Sequence, residues 1–119
     1  MIYRRKVYKL ASGMVNEFNQ HFNDTLLPVQ LKHGARLIGR WKTSSDEEAV
    51  EIFAIWEYDS YEEYEIIEGK VRSDEPHIKR VQEWFAQMGG REKLKGSFFK
   101  IDQDFLESTL TNESTIILK

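Results

Sequence analysis

The segment Val50–Tyr58 alternates with a period of two yet carries apolar groups on both of its faces, and no other stretch restricts the fold so strongly. Val50, Ile52, Ala54, Trp56 and Tyr58 fall on one side, while Phe53 and Ile55 stand between Glu51 and Glu57 on the other. A strand of this kind belongs at the centre of a sheet that is covered on both faces. The polar stretch Thr43 to Glu48, with Asp46, Glu47 and Glu48 at its tip, reads as a solvated turn from a preceding antiparallel strand. That strand, Ala35 to Thr43, sets Leu37, Gly39 and Trp41 on one side and Arg36, Ile38, Arg40 and Lys42 on the other. Its charge suits an edge.

The remaining elements follow from their own periods. Ile2 to Leu10 alternates aromatic or branched residues with bases and reads as the first strand. Met14, Phe18, Phe22 and Leu26 then step by four, widened by Val15 and Val29, so a helix capped by Ser12 is expected. Pro28 lacks the amide hydrogen a helix needs, and the helix is expected to kink or end near Leu27. After the central strand, Asp59 and Ser60 start a helix to Arg72, with Glu63 placed to complete a capping box. Tyr61, Tyr64 and Ile67 form its inward stripe, leaving Glu62, Glu63, Glu65 and Glu68 outside. Ser73-Asp74-Glu75-Pro76 starts another helix, which shows Ile78, Val81, Phe85 and Met88 on one side and stops at Gly89-Gly90. Lys95 to Asp102 reads as the fourth strand, followed by a tail over about 103–119 with a β-prone end at Thr115 to Leu118.

The order β, α, β, β, α, β predicts one α+β domain over 1–119, a ferredoxin-like sandwich with an antiparallel sheet and its first and third strands at the centre. Helices cover one face of such a sheet. The apolar residues emerging on the other face call for a second subunit, so a homodimer is expected.

Composition removes several function classes. At 119 residues the chain is long enough to bury one core. Its net charge of −3 offers no attraction to phosphate backbones, and nucleic acid is not expected as a partner. Without cysteine there are no disulfides, thiol nucleophiles or thiolate metal sites. No apolar run approaches the ~20 residues of a membrane span, and the opening MIYRRKVYKL lacks the apolar core of a signal peptide. A cytoplasmic protein is expected.

With these elements placed, the residues themselves become informative. Tyr3-Arg-Arg-Lys-Val-Tyr8-Lys-Leu10-Ala-Ser-Gly13 resembles the first strand and turn of the NIPSNAP family. Leu37-Ile-Gly39-Arg-Trp41-Lys-Thr43 and Phe53-Ala-Ile-Trp56-Glu-Tyr58-Asp59-Ser60 are similar to that family's Gly-x-Trp-x-Thr strand and Leu-Trp-x-Tyr-Asp strand end. The resemblance implies a dimeric α+β barrel, two ferredoxin-like sheets packed face to face. Two positions depart from it. Lys6 stands where the family tends to carry arginine, and Arg4 replaces an acidic or polar residue after Tyr3. The resemblance names no common reaction, although the wider group includes cofactor-free monooxygenases, haem-degrading enzymes and small isomerising or decarboxylating enzymes.

The candidate site is a pocket of Lys6, Tyr8, Trp56, Tyr58 and His77. Lys6 and Tyr8 share one strand face, Trp56 and Tyr58 another, and neighbouring strands would bring them to one cleft beneath the helices. Aromatic residues at strand spacing more often form core, and that reading stands beside the pocket. His21, His33 and His77 match no metal-ligand spacing, so no metal or other cofactor is expected. His77 falls in a first helical turn, where the helix dipole favours neutral imidazole. Haem-degrading relatives of the fold pair a helical histidine and a strand tryptophan with an asparagine on the first strand. Trp56 and His77 can play two of those parts, but the first strand has no asparagine. Two function classes therefore stay open. One is small-molecule binding in an aromatic cleft, with cofactor-independent chemistry in which Lys6, Tyr8 or His77 steadies an anionic intermediate. The other is an interaction module without catalysis, with haem binding or degradation as a further alternative.

Overall fold

The computed structural model of the chain describes residues 1–43 and 48–110. The expected turn tip at Asp46 and Glu47 and the expected tail strand at Thr115 to Leu118 lie outside them. The four strands are β1 (Ile2–Ala11), β2 (Arg36–Lys42), β3 (Ala49–Tyr58) and β4 (Phe98–Leu106), in the order β2-β3-β1-β4. Every pairing is antiparallel. This is the ferredoxin-like arrangement, with β1 and β3 central and helices on one face. β3 lies between β2 and β1, with Val50, Ile52, Ala54, Trp56 and Tyr58 buried on the helix side and Phe53 and Ile55 half-buried on the open face.

The first helical arm is less regular than its stripe predicts. A 3₁₀ turn over Ser12–Met14 leads into α1 (Val15–His21), a π-helical turn over Phe22–Leu26, and α2 (Leu27–Lys32). Ser12 does not cap; Ala11 holds that position, and its side chain can offer no oxygen. The helix also neither ends nor breaks at Pro28. The wider π turn just before it relieves the clash that proline would make with the carbonyl four residues earlier, and helix resumes. It stops at Gly34, whose φ of +104° is open to glycine.

Helix α3 (Tyr61–Arg72) begins as expected, with the Ser60 hydroxyl accepting the Glu63 amide hydrogen at 3.1 Å. Its buried stripe is Tyr64, Ile67 and Val71; Tyr61, expected inside, is half exposed, and Glu68, expected outside, turns inward. Helix α4 (Glu75–Gln87) is capped by Asp74, which accepts the His77 amide hydrogen at 3.2 Å. Asp74 also holds Lys32 at 2.9 Å and His33 at 2.8 Å, tying α4 to the end of α2. A short helix α5 (Arg91–Ser97), absent from the sequence expectation, occupies the start of the predicted fourth strand. It buries Leu94 and so has no stripe to reveal it. Strand β4 consequently starts at Phe98 and runs to Leu106, taking in Gln103 to Leu106, which were assigned to the tail. Among the described residues no helix is long and apolar enough to cross a membrane.

One irregularity reverses half of β2. Leu37 lies opposite Trp56, but Gly39 lies opposite Ile55, so Ile38 is an extra residue forming a β-bulge. Beyond it Arg40 pairs with Ala54 on the helix side, and Trp41 pairs with Phe53 on the open side. The expected grouping of Leu37 with Gly39 and Trp41 is therefore corrected, because the bulge shifts the alternation by one. The Gly-x-Trp spacing has its own cause here. The indole of Trp41 lies over Gly39, and a Cβ at that position would run into the ring.

Candidate functional site

Between the helix-covered face of the sheet and α4 lies a cavity of about 380 Å³. Strand parity aims Arg4, Lys6 and Tyr8 of β1 into it, with Ala54 and Trp56 of β3 alongside. The structure thus brings together Lys6, Tyr8, Trp56 and His77 of the sequence-stated set. Tyr58 does not join them. Its ring is buried against Tyr64 at 5.2 Å in an edge-to-face contact, and burial pushes its phenol up to about 12.

The roof of the cavity is α4. Its apolar stripe reaches the space through Ile78, Val81 and Phe85, and α4 holds no fully buried residue. Its apolar side chains meet a void where a core helix would meet packed neighbours.

Charge is the feature sequence reasoning missed. Arg4, Lys6, Arg40, Arg72 and Arg91 line the cavity, and among the described residues Glu68 is the carboxylate that answers them. Arg4 is 5% exposed, its guanidinium packed over the rings of Trp56, Tyr58 and Tyr64 at 5.7, 5.9 and 5.1 Å. Its contact with Glu68 is long, 3.9 Å, and Glu68 is shared with Arg72 at 3.7 Å and Gln30 at 3.5 Å. Arg40 packs on Phe22 at 4.2 Å and donates to Asn19 Oδ1 at 2.7 Å. Arg4 Nε, Arg40 Nη2 and His77 Nδ1 are buried with no hydrogen-bond partner among the described residues. Unmet polar atoms of this kind, the two guanidinium N–H donors above all, cost stability unless a bound group satisfies them.

The electrostatics agree with that picture. Lys6 is held below its ordinary value by burial and then by the Arg4 charge. Burial likewise lowers Arg40, and it raises the Tyr8 phenol. His77 is lowered by burial although Asp74 and Glu68 oppose the shift, so its imidazole is neutral near pH 7. Arg4 was legible as a member of the Arg4, Lys6, Tyr8 alternation; Arg40 was concealed by the bulge. Of the haem-degrading pattern, Trp56 and His77 do line the cavity, but the inward positions of β1 hold Arg4, Lys6 and Tyr8 and no asparagine. No group of three or more metal-ligating side chains occurs among the described residues.

A neighbouring histidine supplies a test of the packing. His21 is buried and stacked on Trp84 with centroids 4.0 Å apart, and burial followed by the His77 charge brings it to about 4 from an ordinary 6.5. The unfolded chain therefore takes up a proton that the folded chain refuses as pH falls from 6.5 towards 4. Stability should be greatest above that window and drop within it by on the order of 2 kcal/mol. Urea titrations at pH 7.5 and 4.5 read this directly, and His21→Gln should flatten the slope, leaving the His77 contribution. Equal stability at both pH values would show that His21 is not held neutral by the fold.

Comparison with known proteins places the chain. No curated protein matches it. A solved NIPSNAP family protein from Agrobacterium tumefaciens superposes with a TM-score of 0.71 at 16% identity, covering 94% of this chain and 96% of that one. An uncharacterized NIPSNAP domain protein from Burkholderia xenovorans gives 0.67 at 21% identity, over 94% and 98%. A dimeric ferredoxin-like protein from an uncultured marine organism gives 0.54 at 18%, over 94% and 93%. At these identities the likeness is one of fold. The sequence model of the NIPSNAP family, however, matches residues 3–93, well over half of the 119, and the chain belongs to the NIPSNAP family.

Proposed function

We propose that this NIPSNAP protein binds a small organic anion in the cleft beneath α4. The observation that carries the reading is the concentration of Arg4, Lys6, Arg40, Arg72 and Arg91 against Glu68 in a chain whose net charge is −3. Arg4 and Arg40 each keep a buried N–H without a partner among the described residues, as a site awaiting carboxylate oxygens would. Trp56, Tyr8 and Phe22 supply the apolar wall that orients an organic body. Cofactor-independent chemistry fits the same groups. Lys6 and Tyr8 would steady negative charge developing on the bound molecule, and neutral His77 would accept a proton.

The test is binding of hexanoate and benzoate, read by tryptophan fluorescence and by calorimetry. Arg40→Gln, a half-buried position, should weaken either carboxylate by about 10- to 100-fold, the value of a charge-assisted hydrogen bond. Hexanol and benzyl alcohol should bind far more weakly than the acids. Failure of the acids to bind at millimolar concentration, or indifference to Arg40→Gln, overturns the reading.

The second reading concerns the open face of the sheet and is compatible with the first. Trp41 and Phe53, with ring centroids 5.3 Å apart, lie there with Val7 and Ile55. We take this face as the seat of a second copy of the chain, supported by the structural neighbour described as dimeric. A cytoplasmic site for this homodimer rests on the cysteine-free sequence.

A further inference from the structure

A second cavity, about 350 Å³ and almost wholly apolar, adjoins the basic one. Tyr8, Leu26, Val81 and Phe85 belong to both walls, so the two spaces lie side by side with those four side chains between them. Beyond it lie Phe18, Trp84, Leu94, Phe98 and Ile101. The packing of this half is deliberate on its inner side: Phe18 meets Tyr8 at 4.9 Å and Phe98 at 5.1 Å, both edge to face. On its outer side it is unfinished. Ile101 is 55% exposed, and the α4 residues Val81, Trp84 and Phe85 are only half-buried.

From this juxtaposition we infer that the ligand is an amphipathic anion, its charged head among Arg4, Lys6 and Arg40 and a hydrocarbon tail running past Tyr8 into the apolar cavity. The inference rests on the anion-binding reading above and goes beyond it by specifying the rest of the molecule. Charge alone would be served by the first cavity; the second has no cationic lining apart from Lys95 and can offer little to a head group. An apolar tail removes from water the faces of Phe98, Ile101 and Trp84 that the described residues leave uncovered. Medium-chain carboxylates, aliphatic or aryl-terminated, have this shape.

The probes are butanoate, hexanoate, octanoate and decanoate, with decanol and decyltrimethylammonium as controls, all below micelle-forming concentrations and measured by calorimetry on the full chain. Affinity should rise about three- to fourfold per added methylene, the increment for burying one, so decanoate should exceed hexanoate by well over tenfold. Ile101→Glu, at an exposed strand position, should remove most of that chain-length dependence, and Ile101→Gln, which adds no charge to repel the head group, should flatten it in the same direction, each lowering decanoate far more than butanoate. Arg40→Gln should weaken every acid by a similar factor. Carboxylates that bind equally at all lengths, with Arg40 still required, would overturn the amphipathic inference and leave the anion site standing. Decanol binding as tightly as decanoate would overturn the anion site as well, and so would decyltrimethylammonium binding in preference to the acid. Tail-dependent binding that Ile101→Glu does not alter would place the tail elsewhere and sink the proposal.

Discussion

Trp56→Ala should destabilise the protein by about 3 to 5 kcal/mol, a large part of the roughly 5 to 15 kcal/mol that holds a domain of this size together. Trp56 is 3% exposed on the central strand β3, flanked by Leu37 of β2 and Arg4 of β1. Its ring packs on Phe22 at 6.2 Å and forms one of the aromatic faces under the Arg4 guanidinium. Truncation removes the buried area and also leaves that cation less well housed. Thermal midpoints should fall by about 10 to 20 °C, and urea midpoints should fall without a change in slope. A loss under about 1 kcal/mol would mean that the ring is not a structural part of the core.

Phe53→Asp should convert a dimer to a monomer. Phe53 sits at the middle of the open sheet face, opposite Val7 on one side and Trp41 on the other. The charges around it are largely answered within the chain: Arg5 pairs with Asp104 at 2.7 Å, and Arg36 with Glu57 at 2.8 Å and Asp59 at 2.9 Å. An apolar centre with a self-neutralised rim is the pattern of an interface between copies. A two-fold axis through that centre would bring the two introduced carboxylates together, giving a like-charge cost on top of the lost burial. Sedimentation at micromolar concentration should show a dimer for the native chain and a monomer for the variant, with unchanged circular dichroism. A native chain that sediments as a monomer would overturn the assignment of this face.

The parts of the fold that sequence reading reached are those whose alternation is unbroken. β1 and β3 match their expected faces along their length, and α3 starts where Ser60 and Glu63 place it. The parts it missed share a cause, since each carries a residue out of phase or lacks a stripe. Ile38 shifts β2, the π turn at Phe22–Leu26 shifts the first helical arm, and α5 has Leu94 as its buried residue. The site divides in the same way. Lys6, Tyr8, Trp56 and His77 converge because strand parity and a helix start place them, and Arg4 follows from the same parity. Arg40 and Glu68 reach the cavity from a bulged strand and from the margin of a helical stripe, neither of which a simple period marks.

Two of the fold's irregularities, the bulge in β2 and the π turn of the first helical arm, meet each other. Arg40, turned inward by the bulge at Ile38, lays its guanidinium 4.2 Å from the ring of Phe22, the first residue of the π turn. The bulge therefore separates chain length from side-chain direction. A chain lacking Ile38 would run from Leu37 to Gly39 in plain alternation and keep Arg40 opposite Ala54 and Trp41 opposite Phe53. Straightening the strand with Ile38 drawn into the ladder would do the opposite, sending Arg40 to the open sheet face and Trp41 into the cavity. The spare residue is tolerated because it is set aside, and the cation keeps its side of the sheet only while the ladder passes Ile38 by.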